Sequence, residues 1–400
     1  MRPAYRHVVT TLSARTGPSA PARPDGAAGR TPDTPPRSRL RTLDGLRFLA
    51  AAGVVVYHWT ARESTAWGEA SGDQLPAVGS VAIYFSLAPE LFFVISGFVI
   101  LWTAWGRSVP AVVASRVARL YPAYWAALAL TGFLLLVLWP QGKDVSLGQV
   151  LVNATLLQSV MGVDHVDGVY WTLWAELRFY LLVVLLVAVG LTRRRVLAFA
   201  AVWPVVAVVA ARQDWSLLDT LTVGQYAPFF AGGMALFLVW RDGHALVPWL
   251  VVVGNAALGV WSAALGKGST LDRTTAFDAD PVVLALVSVG CFAAVAVAAL
   301  TPLARFDRPW LTSVGALTYP LYLVHLFWGW WVIDLVEPHV PAAVAVLLAA
   351  AVSPALAAAI HHGVERRLNP PLRRAVEQGL TAVAQRLPRS RRRSSAGSAD

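Results

Sequence analysis

The sequence predicts an all-α fold, a polytopic membrane bundle of about ten transmembrane helices with both termini cytoplasmic. Three observations carry this. Only 14% of the 400 residues are charged and 56% are hydrophobic, whereas a soluble domain carries about 25% charged residues. The apolar residues fall into separated blocks close to the ~20 residues that a helix needs to cross a bilayer. Arginines gather in alternate connections, the asymmetry that orients membrane helices.

The blocks run over about 43–62, 84–105, 120–139, 170–191, 196–211, 223–240, 245–265, 281–302, 310–333 and 340–362. The fifth, with Trp203-Pro204, is the shortest. Prolines in it and in the ninth block are tolerable when neighbouring groups satisfy the freed carbonyls. With the N-terminus inside, the inner connections hold Arg107, Arg116, Arg119, Arg193, Arg194, Arg195, Arg241, Arg305 and Arg308. The outer ones hold Arg62, Lys143, Arg212, Lys267 and Arg273, spread over longer loops.

Residues 1–39 are rich in Pro, Ala, Arg, Ser and Thr without apolar periodicity, so a disordered cytoplasmic tail is expected. They lack the apolar core of a cleaved leader. Residues 40–368 form the expected membrane-embedded domain. Residues 369–400 form a basic cytoplasmic tail, starting as a short surface helix near Arg373 and then disordered.

The net charge of +10 and pI of 10.2 suit nucleic-acid binding at first sight. The charges lie in tails and loops rather than on a folded basic face, so no nucleic-acid partner is expected; the lipid bilayer is the expected partner. Cys291 is the single cysteine, which excludes an intramolecular disulfide. No internal repeat is evident, which argues against many transporter folds. A transporter or flippase with buried charges is still the alternative class. The Ala-, Arg- and Pro-rich composition fits a high-GC bacterium, and hence a multi-pass protein of the inner (plasma) membrane.

Ionisable residues inside spans are costly and mark function. The first span contains Arg41-Thr-Leu-Asp44-Gly-Leu-Arg47 and then His58. Arg47 and His58 are eleven residues apart, three turns and ~16 Å along one face. Asp44 shares that face and can pair with Arg47, either functionally or as a helix-end anchor. The second span offers Glu90, Ser96 and Gly97, the last as a small-residue packing notch. Glu90 requires a partner or a wet cavity at that depth.

Arg116 and Arg119, at i and i+3, can converge on phosphate oxygens or merely set topology. Glu176 shares a face with Thr172 and Tyr180. Its distance from the outer helix end puts it level with His58, where it could orient the imidazole or pair with a buried cation. Tyr319, Tyr322 and His325 form one stripe of the ninth span. His361-His362 with Glu365 match no strong metal motif, so no metal is expected.

Together these pieces resemble the acyltransferase type 3 family of membrane O-acyltransferases. The likeness rests on Arg47 followed by His58, Phe92-Phe93-Val-Ile-Ser96-Gly97-Phe98, Arg116-x-x-Arg119-Leu-Tyr-Pro, Trp171 to Tyr180, Tyr319 to His325, and Glu365-Arg366. Glu90 stands where the family often has Asp, and Thr318-Tyr319 where it often has Ser-Tyr. The fused esterase-like domain of some relatives is absent from this sequence. The resemblance implies acyl-CoA, often acetyl-CoA, as a cytoplasmic co-substrate rather than a bound cofactor. It also implies a hydroxyl of a sugar, cell-surface glycan, lipid or macrolide as acceptor. The expected catalytic set is His58, Glu176 and Asp44, with Arg47, Arg116 and Arg119 on the coenzyme. Glu90, Ser96, Tyr322 and His325 are expected on the acceptor.

Overall fold

The computed structural model describes residues 40–68 and 71–386, apart from the side chains of residues 263–265. The expected disordered tails, 1–39 and the stretch after 386, lie outside the described residues. Within them the fold is all-α, with no strand and one isolated backbone bridge between Arg62 and Thr275.

Seven helices are long and apolar enough to cross a membrane: α2 (Pro76–Ala104), α3 (Val109–Leu138), α4 (Gly168–Val189), α5 (Arg193–Arg212), α6 (Ser216–Asp242), α9 (Pro281–Leu300) and α11 (Ala342–Arg386). An eighth is possible if α7 (Leu246–Ser262) and α8 (Gly266–Thr274), bent by 43°, form one broken span. The first and ninth expected spans are the helices α1 (Arg41–Thr60) and α10 (Pro309–Val336). They fall short in apolarity because they carry the polar groups described below. Leu49, Val137, Leu181, Leu185, Leu286 and Leu347 point outward, as on a surface facing lipid tails rather than water. The chain is a multi-pass membrane protein.

The boundaries differ from the sequence reading at two places. Arg116 and Arg119 are not loop residues, because α3 begins at Val109 with Pro110 in its first turn, a position that favours helix initiation. At the other end, α11 continues past 362 through a π turn at His361–Glu365 and runs to Arg386, despite Pro370 and Pro371. Such a turn inserts one residue into the ladder and re-aims the side chains around it. Here it turns Glu365 towards Arg119, as the ion pair below shows.

α6 is buried at every residue from Ala227 to Val239, as a helix apolar all round must be. It packs against α2 through two glycines. A Cβ on Gly97 would meet the Phe230 carbonyl at 2.0 Å, and one on Gly233 the Val94 carbonyl at 2.0 Å. The notch expected at Gly97 is therefore a close backbone-to-backbone crossing. Gly97→Ala should lower the thermal midpoint in detergent, with an overpacking cost of about 1–3 kcal/mol. An unchanged midpoint would show slack at the crossing.

α10 packs against α1, α3 and α11. Arg41, opening α1, pairs with Asp307 just before α10 (2.7 Å), and Thr42 Oγ1 donates to the Ala298 carbonyl near the end of α9 (2.9 Å). Arg119 in α3 pairs with Glu365 in α11 (2.6 Å). We call the end of the bundle that carries these groups the inner end.

Candidate active site

Two cavities lie one above the other between α1, α2, α4 and α10. The inner one, about 120 Å³, is lined by Arg47, Arg116, Arg119, Ser96, Glu176 and Tyr180 among others. The outer one, about 490 Å³, is lined by His58, Arg62, Glu90, Lys143 and Lys267, with aromatic residues such as Trp171, Tyr226, Phe327 and Trp330 among the rest. Pro89 and Tyr322 line both. Tyr322 Oη lies 2.9 Å from Thr172 Oγ1, and both hydroxyls reach the Val169 carbonyl, at 3.2 and 3.0 Å. This hydroxyl pair stands at the boundary between the two spaces.

In the inner cavity the three arginines converge from α1 and α3, as expected for Arg116 and Arg119. Asp44 lies 3.6 Å from Arg47 and lines neither cavity, so it supports Arg47 rather than reaching a ligand. Arg119 is held by Glu365, whose second oxygen accepts from His361 Nδ1 (2.8 Å). Arg116 donates to the hydroxyls of Thr103 (3.3 Å) and Ser115 (3.0 Å) and lies over the Tyr180 ring. That leaves most of its planar fork for an anion. Ser96 Oγ donates to Glu176 Oε1 at 2.7 Å.

Glu176 does not sit level with His58. It lines the inner cavity beside Arg47 and Tyr180, whereas His58 lines the outer one. Equal counting from helix ends fails because Glu176 lies eight residues inside the start of α4 at Gly168, whereas His58 is two residues from the end of α1 at Thr60.

The partner of His58 is His325. His58 Nδ1 and His325 Nε2 are 3.0 Å apart, and His325 Nδ1 is 2.8 Å from the Tyr322 carbonyl. A carbonyl only accepts, so His325 carries its proton on Nδ1. With both rings neutral, His325 Nε2 accepts and His58 Nδ1 donates. The lone pair left on His58 is then on Nε2, in a residue that lines the outer cavity.

His325 is fully buried with both nitrogens occupied and lines neither cavity, which corrects its expected contact with the acceptor. Two indoles staple the pair. Trp59 Nε1–H donates to the His325 carbonyl (3.1 Å) and Trp330 Nε1–H to the His58 carbonyl (3.0 Å). Gly329 makes room for Trp59, since a Cβ there would meet its Nε1 at 2.2 Å.

Glu90 has both features its depth demanded, a wall position in the cavity and a partner. Lys267 Nζ lies 2.7 Å from its Oε1. Glu90 Oε2 is buried without a hydrogen-bond partner among the described residues. At the outer rim, Lys143 donates to the His165 carbonyl (2.6 Å) and faces Asp167, whose carboxyl burial pushes up to about 7.

Sequence reasoning missed Lys267 as the partner of Glu90, Glu365 as the support of Arg119, and the link between the two histidines. For Lys267 a signal existed: a carboxylate at that depth requires a cation, and Lys267 follows directly on the apolar run that ends at Leu265.

A family model described as an acyltransferase domain matches residues 40–362. Among curated proteins, acyltransferase MdmB of Streptomyces mycarofaciens is 30% identical over 159 residues, 37% of this chain. The match spans 39% of that relative's length. No solved structure matches.

Proposed function

With the chain belonging to the acyltransferase type 3 family, we propose that it moves an acyl group, acetyl in the simplest case, from acyl-CoA to a hydroxyl. Acceptors of this class are a sugar, cell-surface glycan, lipid or macrolide-type metabolite. Residues 40–368 are the acyltransferase domain, in the inner (plasma) membrane, with the arginine end facing the cytoplasm. One observation carries the reading: a cavity lined by three arginines adjoins a cavity lined by a histidine whose Nε2 lone pair is free, and Tyr322 lines both.

Arg47, Arg116 and Arg119 hold the phosphates of the donor at the inner end, where bidentate forks suit them. At about 120 Å³ the inner cavity is smaller than the 300–1,000 Å³ of a drug-sized ligand site, so it takes the acyl-bearing arm and not the whole coenzyme. The thioester reaches His58 past the Tyr322–Thr172 hydroxyl pair.

His58 Nε2 takes the proton of the acceptor hydroxyl, whose oxygen attacks the thioester carbon. The C–S bond breaks, an ester C–O bond forms, and the proton passes to the departing thiolate, giving free CoA. In a two-step variant the same lone pair attacks the thioester carbon and the C–S bond breaks, releasing the thiolate. The acceptor oxygen then attacks the acyl carbon, the N–C bond breaks to restore the imidazole, and the hydroxyl proton ends on the thiolate. Glu176, fixed by Ser96, shapes the donor side, and Glu90 the acceptor side.

The test is kinetic. Purified protein given acetyl-CoA should release free CoA, which a transporter would not do. Arg116→Ala should raise the KM for acyl-CoA about 10-fold, or about 1.4 kcal/mol, with kcat nearly unchanged, and Lys should rescue only part of it. Arg119→Ala should act in the same direction but also cost stability, because Glu365 loses its guanidinium partner. If both Ala variants keep the wild-type KM, the arginines do not hold the donor.

A further inference from the structure

Besides tyrosines, five ionisable side chains line the outer cavity: His58, Arg62, Glu90, Lys143 and Lys267. Lys267 is neutralised by Glu90 at 2.7 Å. Lys143 is tied to two backbone carbonyls and faces Asp167 and Asp164. Among the described residues the Arg62 guanidinium has no ion pair and no hydrogen bond.

Its backbone, in contrast, is pinned. Arg62 N–H donates to the Tyr57 carbonyl (3.0 Å), the residue bridges to Thr275, and Glu63 N–H donates to the Thr274 carbonyl (2.9 Å). Arg62 lies four residues after His58 and two past the end of α1 at Thr60, and both line the same cavity. Its charge is close enough to act on the imidazole. A guanidinium on a cavity wall, with its backbone fixed and no counter-charge among the described residues, is an incomplete ion pair.

We propose that the acceptor supplies the missing charge: the outer cavity takes a hydroxyl compound bearing a carboxylate or phosphate, its anion on Arg62 and its reacting hydroxyl at His58. This rests on the acyl-transfer reading of His58 and narrows it. An acceptor bearing an amine in place of the anion would meet uncompensated positive charge at Arg62. The anion has two sources with one chemistry, a soluble acidic sugar or the headgroup of an anionic lipid.

The experiment reads binding at His58 and needs no turnover. Full-length protein in phosphatidylcholine nanodiscs is treated with diethyl pyrocarbonate, and the modification rate of His58 is followed by peptide mass spectrometry. The probes are methyl glucuronide, its neutral twin methyl glucoside, and nanodiscs containing phosphatidylglycerol. The expected result is protection by the glucuronide at a concentration at least ~5-fold below that of the glucoside. Arg62→Gln should bring the two to equality, and Arg62→Lys should keep part of the preference, since one ammonium replaces a fork.

Protection by phosphatidylglycerol alone, lost in Arg62→Gln, assigns the anion to a lipid headgroup. Equal protection by both sugars, protection by no probe, or a preference that survives Arg62→Gln overturns the proposal. So does lost turnover in Arg62→Gln with the preference intact, which would give Arg62 to the charge of the reacting carbonyl instead. Because protection is measured without an acyl donor, failure here is distinguishable from failure of acyl transfer itself.

Discussion

His58→Ala should leave a folded protein that still binds acyl-CoA and has lost acyl transfer. A positioned general base contributes about 10²–10⁴-fold, so the expected loss is at least ~10²-fold, or about 3 kcal/mol of transition-state stabilisation. If the imidazole also carries the acyl group, the loss is larger, since alanine then removes the nucleophile as well as the base. The measurement is release of CoA by purified protein, with donor binding followed separately by calorimetry. Stability should change little, because His58 is only half-buried and the Trp330 indole bonds its backbone carbonyl, which alanine retains. A folded His58→Ala protein with near-normal turnover removes His58 from the chemistry.

His325→Phe should give the second largest effect, through a residue that touches no substrate. His325 Nε2 is the acceptor that holds the His58 proton on Nδ1 and so leaves Nε2 free. Its own tautomer is set by the Tyr322 carbonyl. Without it, His58 can place its proton on Nε2 or turn away, and kcat should fall ~10- to 10²-fold with KM for acyl-CoA unchanged.

His325→Gln retains a side-chain oxygen able to accept from His58 Nδ1–H and should recover part of kcat. A purely structural histidine would behave otherwise. Both variants would then lose thermal stability, with no difference between Phe and Gln in kcat. A His325→Phe enzyme with wild-type kcat would end the positioning assignment.

Much of this protein was legible in one dimension because a membrane helix is nearly a local object. Its length is set by bilayer thickness and its backbone bonds are internal, so the apolar blocks correspond to helices even where boundaries move. The short fifth block is helical over Arg193–Arg212, and the notch at Gly97 is a real crossing. Spacing within a helix was equally readable. Arg47 and His58 line adjoining cavities from one face of α1, and Arg116 and Arg119 converge from one face of α3.

Local pattern therefore suffices for the all-α membrane class, the helix stripes, and which residues bear charge where charge is costly. The tertiary structure alone decided which stripe meets which. His58 finds His325 across 267 positions, Arg119 finds Glu365 across 246, and Glu90 finds Lys267 across 177. It also decided that Glu176 lies with the arginines rather than with the histidines. The 3.6-residue period fixes neighbours within a helix. It carries no term for the helix opposite, whose position and depth depend on packing such as Gly97 against the Phe230 carbonyl and Gly329 against Trp59.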